Sequence, residues 1–480
     1  MSTLALSGES APGLPENIRF RTLNNPVFDR LGNAAFQSSL RDIEMPDTVH
    51  DPYQDMGWWQ GTNANDLELL ARLNQTTFKT TDGVVAIVAA NESVFGGGHL
   101  LAAQQDDDGQ HVWQAQRGVA ELVLDGAAYS PGSYTLFDSL EINSTGTLAI
   151  AVGQWSVSSR ILFGQPGNLA VLAETGQQAV GFPQGVVYGT DFDFGGFFSP
   201  LNDHGDYAYA GTVNSHGASQ FDEQAVWTHD SQGTRLVVRS DEVDALLNAS
   251  TMYFVNLQMG ANGELVFRSY SEAASPDSDP PGALWAERMS GGVSLIAREG
   301  EPWPNAEDAT LIATIDWNTA VNSNGNLAVT ATLVDGRTGI WLGTPDNMRL
   351  AVTSGQDSRF DDQFLVLGDT MLNDRDQMRF SAWNSRGLGE WLLDENGKLH
   401  RVFGAGDNFE VSVGDIRKIS GYTHGNENLS DDGKIVATLH FEDGSSGVFL
   451  WQLVPEPNGL GLTTLGLAAV VVVGRRHHLR

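Results

Sequence analysis

Cysteine is absent from the chain, and several kinds of chemistry are excluded with it. Without a thiol the protein forms no disulfide bond, binds no metal through thiolates and has no cysteine nucleophile. A chain of 480 residues can bury a large apolar core, so packing has to supply its stability. The missing disulfides do not argue against export, because small exported domains are the ones that depend on them.

Basic residues are few. Lys and Arg number 27 against 60 Asp and Glu, which gives a formal net charge of −33. A surface this acidic repels the phosphates of nucleic acids and of anionic membranes. We therefore expect no nucleic-acid partner for this protein.

Motifs of common active sites are missing as well. The chain has no Gly-x-Ser-x-Gly nucleophile elbow, no Gly-x-x-x-x-Gly-Lys phosphate loop and no His-Glu-x-x-His metal site. His204 lies in a polar turn and is expected at the surface. We interpret Gly96-Gly97-Gly98 as a flexible loop rather than an anion cradle. The sequence therefore predicts no catalytic residue.

The body of the chain instead carries a repeat. A polar turn that ends in Gly precedes an aliphatic or aromatic strand, and this motif recurs at intervals of roughly 57 residues. Asn and Gly are typical of tight turns because both tolerate the left-handed backbone region, so each following strand starts at a defined residue. The eight copies have as their marker residue Gly32, Gly83, Gly146, Gly205, Gly263, Gly325, Asp376 and Gly433.

An aromatic residue in a second short strand follows each copy. These aromatic residues are Trp59, Trp113, Phe163, Trp227, Trp285, Trp341, Trp391 and Trp451. Because each has the same place in its repeat, we predict that they are core residues. Four other Trp residues lie outside this register and are the better candidates for stacking against a sugar, namely Trp58, Trp303, Trp317 and Trp383.

The repeat predicts an all-β fold, a β-propeller. Each unit shows three strands, the third aliphatic as in Leu169–Ala173, with room for a fourth, which matches a propeller blade. The N-terminal segment Leu4–Glu9 resembles the third strand of a unit and Gly447–Trp451 the second, so the two ends can complete one blade and leave no open sheet edge. We predict eight blades, with seven blades or an open β-solenoid as alternatives. The body also resembles exported bacterial tandem-repeat proteins that carry Asn-x-x-Gly motifs, a resemblance that implies no activity.

An acidic loop is the candidate metal site. Asp106 and Asp108 belong to the run Asp106-Asp107-Asp108-Gly109, which offers clustered oxygen ligands for calcium. The run lacks the alternating ligands and the final Glu of an EF-hand loop, so a solvated acidic loop is the competing interpretation. Asp277 and Asp279 have the same two interpretations. No other cofactor is expected.

The last residues combine three features: Pro455-Glu456-Pro457, an apolar run Leu460–Val473, and a basic end that includes Arg475 and Arg476. Together they resemble the PEP-CTERM sorting signal of exported bacterial proteins. The resemblance implies processing near Pro455–Pro457 by an exosortase-type enzyme and localisation at the cell envelope, cell surface or extracellular matrix. We therefore divide the chain into a propeller body, residues 1–453, and a sorting tail, residues 454–480.

The apolar run of the tail predicts a short C-terminal hydrophobic helix and a transient membrane contact. Its 14 residues reach about 21 Å as a helix, less than the roughly 30 Å of a bilayer core. The basic end fits the positive-inside preference and leaves the body outside the cytoplasm. Met1–Ser10 has no apolar stretch typical of a secretory signal, so we expect the export signal to lie upstream of Met1.

The leading functional hypothesis is a non-enzymatic exported protein whose propeller loops bind or scaffold a partner, either an extracellular polysaccharide or a protein. The alternative is a propeller enzyme, a hydrolase or lyase of extracellular glycans, with carboxylates at the mouth of the central channel. A third hypothesis is calcium-dependent assembly. The side chains around the channel distinguish the first two.

Overall fold

The structure is a computed structural model. It describes residues 2–29, 32–45, 55–80, 83–86, 92–96, 98–106, 109–125, 136–154, 158–193, 201–215, 223–248, 251–271, 282–288, 291–304, 310–355, 363–425 and 428–452. Within these ranges the protein is nearly all-β and forms an eight-bladed propeller, each blade an antiparallel sheet of at least four strands. The predicted fold class is confirmed, and the eight-bladed form is the correct one of the three alternatives. The predicted C-terminal helix lies outside the described residues.

Four strands are common to all eight blades, and we name them a, b, c and d from the channel outward. The a strands are β2 (Ile18–Phe28), β8 (Glu92–Gly96), β12 (Leu136–Ile142), β16 (Val186–Asp193), β20 (Thr251–Met259), β24 (Ile312–Val321), β28 (Val366–Leu372) and β33 (Asp415–Thr423). The b strands are β3 (Ala34–Asp42), β9 (His99–Asp106), β13 (Leu148–Gln154), β17 (Tyr207–Ser215), β21 (Leu265–Ser271), β25 (Leu327–Leu333), β29 (Met378–Asn384) and β34 (Lys434–Phe441).

The outer half of each blade consists of the c and d strands. The c strands are β4 (Met56–Gly61), β10 (Gly109–Gln116), β14 (Ser158–Gln165), β18 (Glu223–Asp230), β22 (Gly282–Glu287), β26 (Thr338–Thr344), β30 (Gly387–Leu393) and β35 (Ser446–Gln452). The d strands of blades 1 to 7 are β5 (Glu68–Arg72), β11 (Val119–Asp125), β15 (Asn168–Glu174), β19 (Gly233–Arg239), β23 (Val293–Arg298), β27 (Asn347–Thr353) and β31 (Leu399–Gly404), and β1 (Ser2–Leu6) is the d strand of blade 8.

Both ends of the chain contribute to blade 8. The strand β1 pairs antiparallel with β35, with Ser2 opposite Leu450 and Leu6 opposite Gly447. This pairing closes the ring and confirms the closure predicted from the sequence. Blade 8 has a fifth strand, β32 (Asn408–Ser412), which pairs with β33.

The second repeat was predicted in the wrong place. The strand after Gly83, β7 (Gly83–Ala86), pairs with β6 (Thr77–Thr80), and among the described strands these two form a separate hairpin. The b strand of blade 2 is β9, which follows Gly98, and Gly98 has the left-handed φ of 79° that the other marker glycines share. The prediction failed because a short hairpin with a Gly turn has the same local sequence as the start of a b strand.

The aromatic residues of the repeat lie on the c strands and form the core between strands and blades. Trp59, Trp113, Trp227, Trp285, Trp341 and Trp391 are buried, which confirms their predicted role, and Phe163 and Trp451 are partly buried. The pairing of c and d strands shifts by one residue at the Trp in these six blades. Such bulges increase the local twist of the outer strand pair.

The two ends of the propeller differ in their connections. The a–b and c–d turns lie at one end, which we call the turn face. The b–c and d–a connections lie at the other end, the loop face. The single described helix, α1 (Ser240–Leu247), is a d–a connection and lies on the loop face. Strand β35 is a c strand, so the chain leaves the propeller after Gln452 at the turn face.

Candidate functional site

The a–b turns form a ring around the channel on the turn face. In blade 6 the Asn322 side-chain oxygen accepts hydrogen bonds from the backbone N–H groups of Asn324 (3.0 Å) and Asn326 (2.9 Å). The fourth residue, Gly325, has φ 74°, and its N–H donates to the Asn322 carbonyl at 3.1 Å. In blade 7 Asp376 takes the same place with φ 60°, a conformation that Asp tolerates better than most residues. The turn chemistry predicted from the sequence is confirmed.

In blades 3, 4, 6 and 7 the a–b turn begins with an Asn, and this Asn also connects its blade to the next. Its side-chain nitrogen donates to the backbone carbonyl of the first turn residue in the following blade. These bonds run from Asn143 to Asn202 (2.9 Å), from Asn202 to Gly260 (3.0 Å), from Asn322 to Asn373 (2.9 Å) and from Asn373 to Ser430 (3.0 Å). The four Asn side chains are buried. One amide thus closes a turn with its oxygen and joins two blades with its nitrogen.

Replacing Asn322 by Ala is expected to lower the free energy of unfolding by about 1–3 kcal/mol, because buried backbone groups of two turns lose their partners. Asn322→Asp keeps the acceptor, loses the donor and places a carboxylate beside Asp376, so it tests the link to blade 7 together with charge repulsion across it. Urea denaturation monitored by Trp fluorescence measures both. Asn396→Ala, in an exposed c–d turn, is the control and should change little. An unchanged midpoint for Asn322→Ala would contradict the role of the ring.

The ring encloses a cavity of about 450 Å³ at the mouth of the channel. Its rim consists of turn residues with Lys434 at the start of β34, and its wall consists of apolar residues at the ends of a strands with Leu429 of the blade 8 turn. The rim includes Asp29, Asn202, Asp203, Asn322, Ser323, Asp374, Ser430, Asp431, Asp432 and Lys434, and the wall includes Phe28, Met259, Val321, Met371, Leu372 and Leu429. Carboxylates therefore do converge at the mouth, as the glycan-enzyme hypothesis requires.

These carboxylates hold the ring together. Asp203 accepts a hydrogen bond from the Ser144 N–H (3.0 Å), and Asp374 accepts one from the Ser323 N–H (2.8 Å), in each case across a blade boundary. For Asp432, partial burial would raise the pKa, but hydrogen bonds from Lys434 and Ser430 hold the pKa below its usual range. A general acid needs a raised pKa, so Asp432 does not suit that role.

A buried charged cluster lies between blades 7 and 8. Arg379 on β29 forms an ion pair with Glu390 on β30, and the two side chains are 1% and 0% exposed. His424, after β33, accepts a hydrogen bond from the Arg379 guanidinium. The side-chain amide oxygen of Asn428, in its favourable orientation, lies 3.2 Å from two guanidinium nitrogens. The cluster therefore joins the two blades through one guanidinium.

Burial and charge shift the pKa values of this cluster. Burial raises the pKa of Glu390 to about 7, against the opposing effect of Arg379. Burial, followed by the charge of Arg379, lowers the pKa of His424 to about 3, which keeps its imidazole neutral and able to accept a hydrogen bond. A carboxyl with a pKa near 7 is typical of a catalytic acid or base. Glu390 has no exposed surface for a substrate, so we interpret the cluster as structural.

The loop face carries most of the exposed apolar side chains. The described residues include 14 large hydrophobic side chains that are exposed. Four belong to outer d strands: Val119, Val171, Leu295 and Leu350. The other ten lie on the loop face: Ile43, Met45, Leu246, Leu311, Val334, Leu365, Val366, Trp383, Val413 and Ile416. Exposed apolar groups that gather on one face are typical of an interaction surface.

Five of these side chains, on blades 6 and 7, define the blade 6–7 patch: Leu311, Val334, Leu365, Val366 and Trp383. Backbone hydrogen bonds join Val334 to Leu311 (3.0 Å) and Leu365 to Trp383 (2.8 Å). The Thr338 hydroxyl, next to the b–c turn of blade 6, accepts a hydrogen bond from the Leu367 N–H of blade 7 at 3.0 Å. The patch therefore crosses the boundary between two adjacent blades.

The remaining sequence candidates have different outcomes. Trp58 is 0% and Trp303 3% exposed, so neither offers a face to a ligand and both predictions were wrong. Trp383 is 53% exposed and remains a candidate, and the Trp317 side chain is outside the described part. His204 is exposed, as predicted.

The predicted metal and sorting residues are not covered. Asp106 ends β9, but its side chain and the whole of Asp108, Asp277 and Asp279 lie outside the described residues. The same holds for Pro455, Glu456, Pro457, Arg475 and Arg476. Elsewhere in the described chain, no three His, Asp or Glu side chains are placed to hold a metal ion. The described ranges also contain no helix with the length and apolar character required to cross a membrane.

Sequence comparison identifies the family. A family model described as a family of unknown function, DUF7453, matches residues 1–183 and residues 86–460. The chain belongs to this family. The two overlapping matches of the DUF7453 model agree with a repeated architecture. No curated protein sequence matches the chain significantly.

Solved structures similar to this DUF7453 protein share little sequence with it. The β-propeller domain of the Trilobed protease from Pyrococcus furiosus is 8% identical with a TM-score of 0.42, covering 91% of this chain and 100% of that one. Chaetomium thermophilum Sqt1, bound to the N-terminus of ribosomal protein L10, is 11% identical with a TM-score of 0.41, covering 93% and 99%. Prolyl oligopeptidase B from Galerina marginata is 10% identical with a TM-score of 0.42, covering 73% of this chain. The match spans 46% of that peptidase. At this level the similarity carries no argument about function.

Proposed function

We propose that this protein is an exported, non-enzymatic binding protein that presents the loop face of its propeller to a partner at the cell surface or in the extracellular matrix. The observation that carries the proposal is the concentration of ten exposed apolar side chains on that face. Exposing them to water is unfavourable at roughly 25 cal/mol per Å², and a partner that covers them removes this cost. The partner is a protein or a polysaccharide of the envelope or matrix.

The channel mouth supports a scaffold rather than an enzyme. Asp203 and Asp374 hold neighbouring turns by hydrogen bonds to backbone N–H groups, and a catalytic role would compete with these bonds. The alternative, a glycan hydrolase or lyase, has the convergence of carboxylates in its favour. Hydrolysis of a glycosidic bond needs one carboxyl group that stays protonated and acts as the acid. The pKa of Asp432 is lowered, which keeps this carboxyl ionised instead.

The sorting tail supplies the location in this proposal. Its resemblance to PEP-CTERM signals supports export and cleavage by an exosortase-type enzyme after a transient membrane contact. Calcium stays a hypothesis for Asp106 and Asp108, and it predicts that a chelator changes the melting temperature or the oligomeric state.

The test measures binding and catalysis on the same material. Fluorescently labelled body, residues 1–453, is added to cell envelopes from source cells that lack the protein, and bound and free label are separated by sedimentation. We expect saturable binding that falls at least about tenfold in the variant Leu365→Ser/Val366→Ser/Trp383→Ser, as removal of a central anchor does in other interfaces. Protease or periodate treatment of the envelopes identifies the partner as protein or glycan.

The control changes exposed residues of the turn face, Asp346→Ser/Asn396→Ser, and should bind as the unchanged body does. Release of reducing sugars or unsaturated oligosaccharides from the envelopes at enzymatic rates would favour the glycan enzyme instead. Equal binding by the loop-face and turn-face variants would remove the loop face from the proposal.

A further inference from the structure

We infer that the propeller has a fixed orientation while its tail holds it at a membrane: the turn face points toward the membrane and the loop face points away from it. The inference rests on the proposed sorting role of the tail. It goes beyond that role by stating that the loop face stays accessible to a partner before the tail is removed.

Topology carries the first step. Strand β35 is the c strand of blade 8 and runs from the loop face to the turn face, so Gln452 is at the turn face. β34 pairs with this strand as far as Gln452, and β1 pairs with its other side as far as Leu450. The connection to the tail therefore starts from a defined place on the turn face and cannot swing to the loop face without unpairing β35.

The length of the connection carries the second step. Seven residues, 453–459, separate Gln452 from the apolar run that begins at Leu460. Fully extended, they span at most about 25 Å. A strand of seven residues, such as β35 itself, is about 23 Å long. The height of one blade therefore uses up the connection, so it cannot also carry the apolar run outward around the rim and past the loop face.

The turn face is acidic and has little exposed apolar surface. The described a–b and c–d turns hold twelve Asp and Glu against four Arg and Lys. Of the exposed large hydrophobic side chains in the described residues, Val119 at the start of β11 lies beside these turns, against ten on the loop face. Anionic headgroups repel such a face, so the short connection to the tail, and not adhesion, has to hold it toward the membrane. The blade 6–7 patch then points outward, where a partner has access to it.

The absence of Cys from the chain permits a direct test with single-cysteine variants. The full chain, with a fluorophore at one cysteine, is reconstituted with vesicles of phosphatidylethanolamine and phosphatidylglycerol that contain a headgroup-attached quencher. One pair of sites is Val413→Cys on the loop face and Asn396→Cys on the turn face. A second, independent pair is Met45→Cys and Asp346→Cys. All four side chains are exposed, and each variant is first shown to melt like the unchanged protein.

We expect severalfold stronger quenching at Asn396 and Asp346 than at Val413 and Met45. Equal quenching on the two faces, or stronger quenching on the loop face, overturns the orientation. Body protein without the tail, residues 1–453, provides the baseline and should show no quenching at any site. If the full chain does not cosediment with the vesicles at all, the proposed role of the tail fails, and this outcome is distinct from a wrong orientation of bound protein.

Discussion

Replacing Arg379 by Met is expected to lower the free energy of unfolding by about 3–5 kcal/mol, because it leaves the carboxylate of Glu390 buried without its charged partner. The side chain of Glu390 has no exposure to water that could compensate. Urea denaturation of the body measures the loss. Lys418→Met removes the solvent-exposed ion pair with Glu442 and serves as the control, with an expected change of less than about 1 kcal/mol.

A double variant separates the cost of an unpaired charge from a general packing defect. Arg379→Met/Glu390→Leu removes both charges and is expected to recover most of the stability, since an apolar pair of similar volume is often as stable as a buried ion pair. A double variant as unstable as Arg379→Met alone would contradict this explanation.

The stability of Arg379→Met should also depend more strongly on pH than that of the unchanged protein. The folded-state pKa of Glu390, about 7, lies above its ordinary value of 4.5, so the contribution of this carboxyl to stability is complete below pH 4.5 and is lost as the pH rises through 7. Without Arg379 the pKa rises further. We therefore expect acidification from pH 8 to pH 5 to stabilise Arg379→Met relative to the double variant, which lacks this carboxyl.

The sequence was sufficient to predict the fold because similar turns recur at the same place in seven of the eight blades. A residue such as Gly325 has a left-handed backbone, and the strand after it therefore begins at a fixed position. The closing pair β1 and β35 was predictable because the end segments match different strands of one unit. The assignment of Gly83 failed because an inserted hairpin imitates this signal.

The connections between blades were not predictable to the same degree. The recurrence of Asn at the first turn position was visible, but a local turn already explains an Asn there. Its donation to the next blade, as from Asn322 to Asn373, depends on how the ring closes. The pairing of Arg379 with Glu390 was even less predictable, because the chain has 60 acidic residues and no sequence pattern selects one of them as the partner.

The apolar loop face was also beyond sequence analysis. Leu311, Val334 and Leu365 lie at the edges of strands, each next to a buried apolar residue, so the local sequence does not distinguish the exposed position from the core position. They come together on one face only in the folded propeller, where all b–c and d–a connections lie at the same end. Trp383 was recognised as a candidate because it lies outside the register of the c-strand aromatic residues, and the same argument failed for Trp58 and Trp303, which are buried at other core positions.

Two Trp residues of blade 7 provide the sharpest test of that register argument. Trp391 is fully buried and packs edge to face on Phe364, with ring centroids 4.9 Å apart. Trp391→Ala is expected to cost about 3–5 kcal/mol of unfolding free energy, because a large cavity forms in the core. Trp383→Ala, eight residues earlier and half exposed, should change stability by less than about 0.5 kcal/mol.

In binding to cell envelopes we expect the reverse order, with the larger loss for Trp383→Ala. Under conditions in which both are folded, Trp383→Ala should bind weakly, since it removes the one aromatic side chain of the blade 6–7 patch, and Trp391→Ala should bind normally. Urea denaturation measures the loss of stability in Trp391→Ala, and the sedimentation assay measures the loss of binding in Trp383→Ala. If Trp383→Ala were as destabilised as Trp391→Ala, its weak binding would follow from unfolding, and the loop face would lose its main support as a binding surface.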